Sequence, residues 1–234
     1  VGVCSYAYQA AGRPFLTSGA FAAYAEGTIG PGACSVTTQG SCALYDCPAD
    51  APNPMPATPT SAGVITISGG SRAITLTPDA GGSYPPESSQ SSALFSGGES
   101  LAFSVAGAGN IPAHAGQIVA RSPVTVAGID PPTGITINRS SPFAVSWSGG
   151  AGDVLVAAGA TVLNGNTVER SLSVQCRFDA AAGSGSLPAE LLTQLPASSA
   201  QTVGSFSVSV TRTSTEPFGK YLVSFYASTL GLTA

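Results

Sequence analysis

Charge is what this sequence has least of. Only 9% of its 234 residues are charged, against roughly a quarter in an ordinary soluble domain. The cations are Lys220 and seven Arg spread along the chain. A nucleic-acid surface needs them gathered on one face, so a nucleic-acid partner is excluded. Low charge also marks membrane proteins, but no apolar run approaches the ~20 uninterrupted residues of a spanning helix. There is one histidine, His114, and one tryptophan, Trp147. A Ser-His-Asp triad would have to use His114, yet the chain has no Gly-x-Ser-x-Gly elbow. His114 follows Ile-Pro-Ala and reads as a loop residue. The twelve carboxylates are dispersed, with no Asp-x-Asp-x-Asp-Gly calcium loop. Aromatics make up 7%, few for a sugar cleft. No enzyme activity, cofactor or metal is expected.

What the chain does have is Gly (29) and Pro (18), with Ser, Thr and Ala filling much of the rest. A net charge of −4 and many β-branched residues argue against disorder. The class left is a rigid, small-residue-rich β-protein. The chain opens on Val1 without an initiator Met; removal of a leader peptide is expected, which places the protein outside the cell or on its surface.

Five cysteines stand at 4, 34, 42, 47 and 176. The Cys-x7-Cys-x4-Cys cluster is not a zinc spacing, and a histidine partner is missing. In an exported protein it reads as a disulfide staple. A hairpin around Gln39-Gly40-Ser41 brings Cys34 to Cys47, the leading pair, with Cys4 and Cys42 as the second. Cys176 then remains as a buried thiol. The alternative is a bridge between Cys4 and Cys176 that leaves one of the clustered three unpaired.

The clearest strand is 172–178, where Leu172, Val174, Cys176 and Phe178 alternate with polar residues. Asn164-Gly165, which supplies the positive φ of a tight hairpin, predicts antiparallel pairing with 154–158. A run at 143–147 adds Trp147 on its inward face as a third strand of this core. Further strands are expected at 64–68, 73–77, 100–105, 117–120, 124–127, 135–138, 206–210 and 221–226, punctuated by Gly, Pro and Asp clusters. Residues 48–63 form a proline-rich connector. Asp130-Pro131-Pro132 is the expected boundary, since prolines do not sit inside a central strand. Leu187, Leu191 and Leu195 repeat every four residues before Pro196 and predict one short helix. The expected fold is all-β: two Greek-key-like sandwich domains, 1–130 and 131–234, with that helix and a disulfide-stapled N-terminal hairpin. Tyr6 and Tyr8 alternate with Ala7. They form either a sugar-stacking platform or, sharing a face with Cys4, part of the core. Asn138-Arg139-Ser140 matches a glycosylation sequon, which in a bacterial protein reads as a chance match.

Three segments, Ser-Ala-Leu-Phe-Ser-Gly-Gly-Glu, PFAVSWSGG and VQCRFDAAAGSGSLPAELLTQLP, resemble in pattern a set of exported β-sandwich cell-surface proteins of myxobacteria and related bacteria. The resemblance covers roughly residues 60–234. It implies a fold and an extracellular place, and carries over no catalytic residue.

The expected function is a non-enzymatic extracellular structural or adhesive protein, a subunit of a surface layer or fibre. It would associate with itself or with other surface proteins through residues 1–8 and 221–226, which carry almost no guarding charge, unless one or both of these segments are internal strands paired within their own sandwich and the protein is a monomer. The alternative is a carbohydrate- or ligand-binding module on the cell surface.

Overall fold

The computed structural model describes residues 2–10, 13–22, 34–49, 60–89, 93–129, 135–218 and 221–233. In chain order the first strands are β1 (Gly2–Ala10), β2 (Arg13–Phe21), β3 (Ser35–Gln39) and β4 (Cys42–Pro48). Then come β5 (Ile65–Ser68), β6 (Ile74–Leu76), β7 (Glu87–Ser89), β8 (Ser100–Val105), β9 (His114–Val119) and β10 (Val124–Ala127). The remainder are β11 (Phe143–Gly149), β12 (Asp153–Asn164), β13 (Thr167–Asp179), β14 (Ser184–Leu187), α1 (Ala189–Leu192), β15 (Thr202–Phe218) and β16 (Tyr221–Thr233). The all-β class with a single short α-helix among the described residues is what the alternating pattern and turn residues predict.

The strands form three sheets. A nine-stranded sheet runs β3-β4-β13-β12-β15-β16-β1-β2-β7; the smaller ones run β6-β5-β8-β9 and β10-β11-β14. Each small sheet encloses a core against the long one. The first core holds Ile65, Phe103, Val105 and Ile118 with Val223, Phe225 and Ala227 of β16. The second holds Val145, Trp147, Leu187 and Leu191 with Leu44, Val156, Val174 and Val208 of the long sheet. Along β15, Phe206, Val208 and Val210 face the second core, and the same alternation reaches Phe218, packed on the first. Side chains two apart lie on one face, so the two small sheets sit side by side on one face of the long sheet.

The expected boundary, residues 130–134, lies outside the described residues, as do 50–59 of the proline-rich connector. Neither core is built from one contiguous half of the chain. Cys42 and Leu44 belong to the second core, and Val223, Phe225 and Ala227 to the first. The two sandwiches share the long sheet.

The β12–β13 hairpin forms as the sequence predicts, with Leu172, Val174 and Cys176 buried. Its tight turn is one residue further on, however. Asn164 still pairs with Thr167, and Gly165 (φ 62°) and Asn166 make the loop. The run with Trp147 is not a third strand of this ladder. As β11 it pairs with β10 and β14, and it meets β12 and β13 across the core. Trp147 is buried, and its Nε1 donates to the Ala180 carbonyl at 3.0 Å. Residues 135–138 form no strand. The helix is four residues long because Ser184–Leu187 is drawn into β14 beside Phe143. Leu187, Leu191 and Leu195 are all buried, as their spacing requires.

Candidate functional site

Two disulfides fix one end of the long sheet. Cys34 and Cys47 are bridged across the mouth of the β3–β4 hairpin, one position beyond the Ser35–Asp46 pair. The second bridge differs from expectation. Cys42 is joined to Cys176, its register partner on β13, and not to Cys4. Cys176 is therefore no buried thiol. The reason is topological: β4 lies between β3 and β13, so each face of β4 offers a cysteine to a different neighbour. Cys42 and Cys176 lie on the core face, 5% and 0% exposed, and Cys47 points the other way. Sequence spacing alone favours the local pair and does not register β13 as a neighbour of β4. Cys4 is in β1, with its side chain outside the described part of the structure. The same holds for Tyr6 and Tyr8, whose backbone lies in β1.

A bidentate ion pair reinforces the bridges. Arg170 Nε donates to Asp46 Oδ1 at 2.7 Å and Nη2 donates to Oδ2. These bonds and the guanidinium charge hold the Asp46 carboxyl below its ordinary pKa, against a smaller opposing push from burial. The effect belongs to an exposed pair and is screened by salt.

Among the described residues, β3 is the edge strand of the sheet beyond this staple. All five residues of β3 are exposed, Val36 by 53%, and none carries charge or is proline. Gln39 and Cys42 close a two-residue loop, so they, Thr37/Leu44 and Ser35/Asp46 exchange the ladder bonds. The backbone groups of Val36 and Thr38 then point away from β4. At the far end of the same sheet stands β7. By contrast β1 lies between β16 and β2, and β16 between β15 and β1. Of the segments expected to be free for strand addition, residues 2–8 pair with β2, with 2–6 also parallel to 226–230 of β16, and 221–226 pair with β15.

A groove of about 850 Å³ lies between residues 135–140, the end of α1 and the β12–β15 ladder. Its floor is small, with Ala158, Ala160 and Gly204 beside Phe206. Arg139 stands in its wall and donates to the Leu195 carbonyl. Asn138 is turned on its own neighbour: its Oδ1 accepts from Ser140 N at 3.1 Å and Ser140 Oγ at 2.8 Å. Sequence reading missed this groove; the run of small residues in β12 was the available signal.

His114 is not a loop residue. It opens β9, is 8% exposed, and stacks on Phe218 with ring centroids 4.7 Å apart. Its Nδ1 donates to the Pro112 carbonyl at 2.9 Å. Among the described residues no group of three or more His, Cys, Asp or Glu is placed to hold a metal ion, and no helix is long and apolar enough to cross a membrane. No family model, curated protein or solved structure matches the chain.

Proposed function

We propose that this chain is a non-enzymatic extracellular structural or adhesive protein that assembles through the edges of its long sheet into a surface layer or fibre. The observation that carries this reading is β3: an exposed, uncharged edge strand held in register by a disulfide at its mouth. Soluble monomers guard such edges with Lys, Pro or inward charges. Here the backbone groups of Val36 and Thr38 are set out for a neighbour, and the fixed register lowers the entropic cost of adding a strand. β3 and β7 are opposite ends of one sheet. Pairing β3 of one copy with β7 of the next is head-to-tail, and such a contact propagates without closing. The two bridges suit an oxidising compartment.

Sedimentation velocity over a rising concentration series tests this. The native chain is expected to form a ladder of oligomers. Thr38→Pro, which removes an outward N–H, and Val36→Lys, which adds an edge charge, are expected to return it to monomer with little change in Tm. A native chain that stays monomeric throughout would sink the reading. The second reading, a ligand-binding module, is favoured by the groove beside Arg139.

A further inference from the structure

We infer that the groove between residues 135–140 and the β12–β15 ladder binds a small aliphatic carboxylate. This deepens the ligand-binding reading and is independent of assembly at β3. The groove's volume of about 850 Å³ is within the range of pockets that enclose small molecules. Ile135, Ile137, Ala158, Ala160 and Phe206 give it an apolar body. Phe206 is 3% exposed and edge-on to Phe143 at 5.6 Å, so it offers no face on which a sugar could stack.

The charge in the groove is one-sided. Among the described residues, Arg139 is the only ionisable side chain in its lining. The half-buried guanidinium spends a single N–H on the Leu195 carbonyl. A guanidinium has five N–H donors in a planar fork that matches a carboxylate. Asn138 Oδ1 is spent on Ser140 and Thr193 Oγ1 on the Glu190 carbonyl, and the other polar groups of the lining, the hydroxyls of Thr136, Ser198 and Ser205, carry no charge. Arg139 is therefore the charged group that would orient an anionic ligand. One cation at the wall of an apolar trough suits one anionic end on an aliphatic body.

Calorimetric titration of the full chain with octanoate, and with octanol as the uncharged analogue, tests the site. Octanoate is expected to bind saturably at one site per chain, with octanol at least ten-fold weaker. Arg139→Gln is expected to lower octanoate affinity at least ten-fold, to the level of octanol, while Arg139→Lys keeps most of it. Ala197→Trp, at the exposed rim of the groove, is expected to abolish binding while leaving Tm in place. Should Arg139→Gln not fold, the Lys and Trp variants with the octanol comparison decide. Absence of saturable octanoate binding, equal binding of octanol, or binding unaffected by Ala197→Trp would overturn the assignment. A sugar-array hit without octanoate binding would leave the ligand-binding reading standing and remove this one.

Discussion

Gly116 leaves the space that the Phe225 ring fills. A Cβ on Gly116 would lie 2.3 Å from Phe225 Cε2 and 2.7 Å from Cδ2 and Cζ. Phe225 is fully buried and also meets Phe103 at 5.1 Å between centroids. This contact joins β9 of the four-stranded sheet to β16 of the long one. Gly116→Ala is expected to cost about 1–3 kcal/mol through overpacking. Phe225→Leu should relieve part of it, so the double variant should fall short of the sum of the single costs in urea unfolding. Strict additivity would mean that the two residues do not share this space.

Trp147→Ala is expected to destabilise the fold by about 3–5 kcal/mol, since it opens a cavity in the second core and takes one of two donors from the Ala180 carbonyl, which keeps the Gly183 N–H. His114→Ala is expected to cost about 1–3 kcal/mol, because the ring packs on Phe218 and its Nδ1 is bonded. Urea midpoints measure both. An unchanged midpoint for either would place that side chain at the surface.

How much of this was legible in the chain depends on separation. Leu172, Val174 and Cys176, like Leu101 and Phe103, show their inward face by simple alternation, and the structure buries them all. Pairing is another matter. The Cys42–Cys176 bridge spans a sequence separation of 134, and nothing local to either cysteine names the other. Likewise β1 shows its uncharged character but not that β16 lies beside it. Tyr84 is a quieter case. It is buried with its hydroxyl accepting from Ala62 N at 2.8 Å and donating to the Gly63 carbonyl at 2.7 Å. No periodicity marks that clamp, because its partners are backbone groups. The groove was hidden for the same reason, since its walls come from four separate stretches of chain.

Thiol titration checks the cysteine assignment. Two bridges use four of the five cysteines, which leaves Cys4 by count. Denaturation without reductant is expected to yield one reactive thiol per chain, and Cys4→Ser to remove it. Zero or three thiols would overturn the pairing. Replacing Cys42 and Cys176 together by Ala is expected to cost about 2–5 kcal/mol. That should exceed the loss of Cys34–Cys47, since its loop is far longer than the separation of 13 in the hairpin bridge.

Acid should weaken the fold through Glu99. Burial raises its carboxyl pKa, but the N–H groups of Ser96 and Gly97, at 2.8 and 2.6 Å, and its own backbone outweigh that and set it below the ordinary value. Between the lowered native pKa and the ordinary one, the unfolded chain binds more protons, so stability falls as pH falls through that window. Glu99→Gln is expected to be less stable at neutral pH and to show a shallower loss on acidification. Urea midpoints from neutral pH downward give the slope, and identical slopes for the two proteins would remove Glu99 as its source.

The parallel pairing of Gly2 with Tyr226 sets an order of events in time. β1 leaves the ribosome with β2 as its hairpin partner, but the strand on its other side is not yet made. The β12–β13 and β3–β4 hairpins can zip locally while that side of β1 waits. Contacts so distant in sequence slow folding, because a long loop must close before any bond rewards it. The β1–β16 seam joins the most distant strands of the long sheet, and pulse-labelled amides along it should be among the last to gain protection.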